Sequence, residues 1–219
     1  PGVVMCNLFL ADEINRTSSK TQSALLEVME EGSVTIDGVT RVLPKPFLVI
    51  ATQNPIGSVG TQMLPESQLD RFMIKLNMGY PDLQSEVDIL KARHSENPID
   101  HVHQVASAED IVRLQRQTEQ IYVDDRIYNY IASLAQATRQ HPMLRLGISP
   151  RGTLALTSAA KATALLRGRD YVTSDDVRFM LRDVFAHRLL LSTKARMQEI
   201  TVEQVIGDVV RQVPVPAIG

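Results

Sequence analysis

Two short apolar runs, Asn7-Leu8-Phe9-Leu10-Ala11 and Phe47-Leu48-Val49-Ile50-Ala51, pass with almost no polar interruption. Runs of that length and continuity predict strands buried on both faces, as in a parallel sheet. Between them, Lys20 to Glu31 repeats its apolar residues Ala24, Leu25, Val28 and Met29 at helical spacing, and Thr17-Ser18-Ser19 offers caps. Ser33-Val34-Thr35-Ile36 and Val39-Thr40-Arg41-Val42 flank Asp37-Gly38, a pair that predicts a tight hairpin. Pro44 and Pro46 end it. Glu66 to Phe72 reads as a short helix, Met73 to Met78 as the last strand of the sheet, and Gly79-Tyr80-Pro81 as a turn and domain boundary.

Beyond that turn the period is helical throughout. Asp82 to His94 is amphipathic, and Glu96-Asn97-Pro98 breaks it. Ser107-Ala108-Glu109-Asp110 resembles a capping box with Asp in place of Glu or Gln, opening a helix through Gln120. Asp124 to Gln140 follows. Ser149-Pro150-Arg151 then starts a long helix to Arg167: Ser caps, Pro suits the first position, and Gly168 suits the end. Thr173 to about Leu190 and Thr201 to Val213 complete the pattern. The predicted fold class is α/β, a parallel sheet with helices over residues 1–81, followed by an all-α lid over 82–219.

The chemistry gathers at the ends of the predicted strands. Ala11-Asp12-Glu13 puts adjacent carboxylates where the first strand surfaces, the edge at which open α/β sheets bind ligands. One carboxylate there can hold Mg²⁺ and its neighbour can activate a water against a phosphate. The alternative is a cap for the segment that follows. The second strand ends in Gln53-Asn54-Pro55, whose amide can orient a water or start a turn. Leu69-Asp70-Arg71-Phe72 holds an arginine that is either free to reach a phosphate or paired with Asp70 or Glu66 on its own helix. Arg151 projects from a helix's first turn, where the dipole disfavours a cation unless a ligand needs it.

In this order the motifs resemble an AAA+ ATPase. The strings ADEINR, SKTQSALLEVMEE, TIDG, ATQNPI, LPESQLDRF and GISPRGTLAL are similar to the MoxR family of that class, over residues 8 to 184 or so. The resemblance implies ATP and Mg²⁺ as cofactors. It implies Asp12 as the magnesium ligand of a Walker B strand, Glu13 as the residue that polarises the hydrolytic water, and Asn54 as sensor 1. Arg71 would be the arginine finger that acts on a neighbouring subunit's ATP. Arg151 would be sensor 2, reaching the γ-phosphate from the lid, so that nucleotide state sets the angle between lid and core. The hairpin corresponds to the pre-sensor insertion that points into a central pore in related motors. The family further implies a homo-oligomeric ring, hexameric in form, and chaperone-like maturation of protein complexes, often beside a von Willebrand factor A domain partner.

No G-x-x-x-x-G-K-[ST] loop occurs in the sequence, so the phosphate cradle of such an enzyme is missing from this chain. A truncated AAA+ P-loop core is the expectation, because the other motif residues are all present. The chain alone is then expected to be inactive, and the ATPase to belong to the longer parent. The competing reading is a non-catalytic interaction or regulatory module derived from such an ATPase. A net charge of −2 and a pI near 6.2, without a basic tract, count against a nucleic-acid motor. A single cysteine excludes an internal disulfide and predicts a reducing, cytoplasmic setting. No apolar run approaches the roughly 20 residues of a membrane span.

Overall fold

The structure, a computed structural model, describes residues 4–53, 64–92 and 98–216. β1 (Leu8–Ala11) leads through a 3₁₀ turn at Ile14–Arg16 into α1 (Ser19–Glu31). Ser18 caps α1 by accepting the Thr21 N–H at 3.2 Å, and Gly32 closes it with a left-handed φ of 61°. β2 (Ser33–Ile36) and β3 (Val39–Val42) form the expected hairpin. Asp37 and Gly38 take φ of 52° and 75°, both positive, as a type I′ turn requires. β4 (Leu48–Ala51) then lies parallel to β1, pairing Leu8 with Leu48 through to Ala11 with Ala51.

That register decides what the small sheet shows. Side chains alternate across a strand, so Leu8, Leu10, Leu48 and Ile50 share one face, exposed at 57, 62, 58 and 47%. Phe9 and Val49 point to the other, half-buried face. The buried apolar residues of this half are Ile14, Leu26, Val28, Leu43 and Leu64.

α2 (Glu66–Leu69) is shorter than the sequence predicts, and the strand expected at Met73–Met78 does not form. Its backbone is claimed by the lid instead of by a sheet neighbour: the Lys75 N–H donates to Asp183 O at 2.9 Å, and Phe72 and Met73 carbonyls accept from Arg188. An apolar run makes a strand only where a partner strand satisfies its ladder.

The helical half follows the predicted order with two additions. α3 (Leu83–Ala92) precedes α4 (Ala108–Gln120), α5 (Asp125–Gln140), β5 (Leu144–Leu146) and α6 (Pro150–Leu166). Then come α7 (Ser174–Phe185), β6 (Leu190–Leu191), α8 (Thr193–Met197) and α9 (Val202–Gln212). The antiparallel β5–β6 pair and α8 are the elements that periodicity did not announce. Capping boxes open α4, α7 and α9. One continuous core unites α5, α6, α7 and α9, with Ile127, Leu134, Leu156, Val177, Val184 and Phe185 among its members. Asp176, fully buried at the start of α7, serves as a polar anchor for the basic cluster at the end of α6. Arg167 and Arg169 reach its carboxylate at 2.9 and 2.6 Å. Burial pushes this carboxyl up, and hydrogen bonds from Arg169 and Thr173 outweigh it, holding it below its ordinary value.

Candidate functional site

The parallel register brings the ends of β1 and β4 level, and the side chains there lock together. Thr52, just past β4, donates its hydroxyl to Asp12 Oδ1 at 2.6 Å. The Thr52 hydroxyl oxygen in turn accepts the Glu13 N–H at 2.8 Å. The ladder continues through the Ile14 N–H to Thr52 O at 3.0 Å. Glu13 itself adopts a left-handed backbone, φ 46° and ψ 50°, a conformation costly for a residue with a side chain. Its carboxylate receives Arg16 at 2.8 Å. The result is two carboxylates presented outward at a strand end, one braced by a hydroxyl and the other by a guanidinium. Among the described residues no cluster of three or more His, Cys, Asp or Glu forms a protein-only metal cage. A magnesium ion bound through one carboxylate, waters and substrate phosphates needs none, so the exposed Asp12 fits that use. Asn54 lies outside the described residues.

The arginines lie elsewhere. Gln22, in the first turns of α1, donates to Ile14 O at 3.1 Å, so this end of the helix adjoins the acidic strand end. Glu30 comes about two turns later, about 12 Å further along the axis. There both predicted arginines converge on it. Arg71 Nη1 meets Glu30 Oε2 at 2.8 Å, and Arg151 Nη2 meets Glu30 Oε1. The three side chains, with Leu26 and Met29, line a cavity of about 100 Å³. Arg71 thus pairs with a carboxylate from another helix, not with Asp70 or Glu66.

Asp70 is engaged by the lid. Its carboxylate accepts the Ser149 hydroxyl at 2.8 Å and Arg188 Nε at 2.9 Å. Arg188, with a side chain 2% exposed, also donates to the carbonyls of Asp70, Phe72 and Met73 at 3.1, 2.5 and 3.1 Å. Gly152, in the first turn of α6, leaves room for it: a Cβ there would meet Ile148 Cγ2 at 2.7 Å and Arg188 Cδ at 3.0 Å. His187 adds a bond from Nε2 to Phe72 O at 3.0 Å. The same Nε2 lies 2.8 Å from Arg188 Nη1, so the imidazole is wedged between a carbonyl that accepts and a guanidinium that donates. Lid and core are therefore fastened on either side of Arg71, and the fastening fixes Arg71 and Arg151 side by side.

Sequence reading missed Thr52, Glu30 and Arg188. Thr52 had a usable signal: aligning the two strands end to end places it opposite Asp12. Glu30 and Arg188 had none, because their partners lie far away in sequence.

Parallel strands ending in an acidic pair, a pre-strand hairpin and a capped helical lid define an AAA+ ATPase module. Two family models agree: the ATPase family associated with various cellular activities matches residues 1–74, and the AAA lid domain matches 136–209. A Bacillus subtilis protein, the uncharacterized YeaC, is 50% identical over 216 residues, covering 99% of this chain and 68% of that protein. The chaperone MoxR1 of Mycobacterium tuberculosis is 42% identical, covering all of this chain and 60% of its own length. A crystal structure of a candidate ATPase from Cytophaga hutchinsonii superposes with a TM-score of 0.93 at 36% identity, over 99% of this chain and 68% of that one. The chain belongs to the MoxR family of AAA+ ATPases. It spans about two thirds of the length of these relatives.

Proposed function

We propose that the full-length protein carrying this chain is a Mg²⁺-dependent ATPase that works as a ring, hexameric in form, to remodel or mature protein complexes. The observation that carries the ring is the length of α1 between the acidic pair and the arginines. Groups at opposite ends of one helix do not meet over one phosphate, whereas a neighbouring copy can bring its arginines to this copy's carboxylates. In this reading Asp12 holds Mg²⁺, which neutralises charge developing on the phosphates. Glu13 takes up a proton from the attacking water, and Asn54 orients that water. Arg71 of the adjacent subunit stabilises the transferred phosphoryl group, and Arg151, expected to serve its own subunit's nucleotide, is reassigned to the same neighbouring site because Glu30 gathers both arginines. Residues 1–81 act as the catalytic core and 82–219 as the lid, with the boundary at Pro81. The name of MoxR1 as a chaperone supports client remodelling, and a von Willebrand factor A domain protein is the partner class this reading would pair with it.

The test mixes subunits. Full-length Glu13→Gln and full-length Arg71→Ala are each expected to be inactive. Combined in equal amounts they recover a fraction of wild-type turnover, because some interfaces then join an intact carboxylate to an intact arginine. Mixtures that stay as inactive as their components would overturn the shared site.

A further inference from the structure

The carboxylate of Glu30 does more than fill a corner. Each of its oxygens takes one arginine, Oε2 from Arg71 and Oε1 from Arg151, so the fork that would grip a phosphate is closed on a resident anion. The site is wet: Glu30, Arg71 and Arg151 side chains are 46, 35 and 43% exposed. Ion pairs so open to solvent hold weakly and exchange readily. A terminal phosphate carries more charge than a carboxylate and offers more acceptor oxygens. A small cavity of about 100 Å³ lies directly against both guanidinium groups and the carboxylate between them. The fastening of Asp70 to Ser149 and Arg188 keeps both arginine stems in place while their head groups change partner.

From these contacts we infer that Glu30 is a positioning residue that stands in for the γ-phosphate, holding Arg71 and Arg151 aligned until a neighbour's ATP displaces it. The inference rests on the ATPase reading above and adds a regulator to it. Any ligand that recruits the two arginines must compete with Glu30, so the carboxylate sets the affinity for a γ-phosphate without touching the rest of the nucleotide. ADP, which lacks that phosphate, leaves the clamp closed.

Calorimetric titration of the full-length protein, at concentrations where rings form, separates the outcomes. Glu30→Gln keeps the shape and removes the charge. It should tighten binding of the non-hydrolysable analogue AMP-PNP about threefold to tenfold, the span of one or two exposed ion pairs, and leave ADP affinity unchanged. Glu30→Ala should behave alike. In an Arg71→Ala/Arg151→Ala background the substitution should have no effect on AMP-PNP. Unchanged or weakened AMP-PNP binding in Glu30→Gln, with a wild type that binds and hydrolyses ATP, would overturn the stand-in role and leave the ATPase reading intact. An equal change for both nucleotides would show a merely structural role and overturn it too. A wild type that binds neither nucleotide would overturn both proposals.

Discussion

The hydroxyl of Thr52 does two jobs with one atom, donating to Asp12 at 2.6 Å and accepting the Glu13 N–H at 2.8 Å. It fixes the direction of the carboxylate assigned to Mg²⁺ and the backbone of the residue assigned to the water. Outer-shell partners of a metal ligand typically matter about 10- to 100-fold in metal affinity. Thr52→Val keeps the β-branched shape and removes both bonds. The Mg²⁺ concentration for half-maximal ATPase rate in the full-length protein should then rise about 10- to 100-fold, read from a magnesium titration, with little change in thermal stability. An unaltered titration would leave Thr52 as packing alone. At this scale the sequence was partly legible. The position of Asp12 and Glu13 at the end of a strand could be read from the apolar run before them. Glu30 could not, because its meaning comes from two arginines brought to it by other elements.

Elements were read best where they carry their own punctuation. The capping boxes at Ser107 and Thr173, the Ser149-Pro150 start and Gly168, with φ of 71°, each fix a helix end locally. Met73–Met78 failed because its apolar run found no strand partner and was taken by Arg188 and Asp183 of the lid. The β5–β6 pair is too short to announce itself by alternation. The joint between α7 and the Asp70 segment makes a prediction of its own. Burial and the adjacent Arg188 guanidinium, joined by the charge of Lys75, push His187 from its ordinary 6.5 down to about 4, although Phe72 O and Asp70 pull the other way. Its Nδ1 is buried without a hydrogen-bond partner, and its Nε2 faces the Arg188 guanidinium at 2.8 Å, so the charged imidazolium is poorly served on both sides. The unfolded chain therefore takes up a proton that the folded chain refuses. This contribution is complete above about pH 6.5 and is lost as pH falls toward 4, with an upper size on the order of 3 kcal/mol. The urea midpoint should drop between pH 7 and pH 5, and His187→Gln should flatten that slope. A slope indifferent to the substitution would show that the histidine is not the group responsible.

At the scale of the whole molecule, two halves of different character share one working surface. The lid holds a continuous core, whereas the α/β half leaves Leu8, Leu10, Leu48 and Ile50 uncovered on a sheet face that parallel strands ordinarily bury. The relatives extend beyond this chain by about a third of their length, and the phosphate loop is not in its sequence. This chain presents carboxylates at one end of α1 and, at the other, two arginines held beside a segment that the lid fastens, which the proposed ring would bring together across an interface. Under the proposed function, Glu13 is the group on which turnover depends. The decisive comparison is the ATPase rate of the full-length protein against Glu13→Gln, with ATP binding measured on both. Loss of the general base should lower kcat about 100-fold or more while ATP affinity stays near wild type. A variant that hydrolyses ATP at the wild-type rate would contradict the assignment of this strand end as the catalytic site.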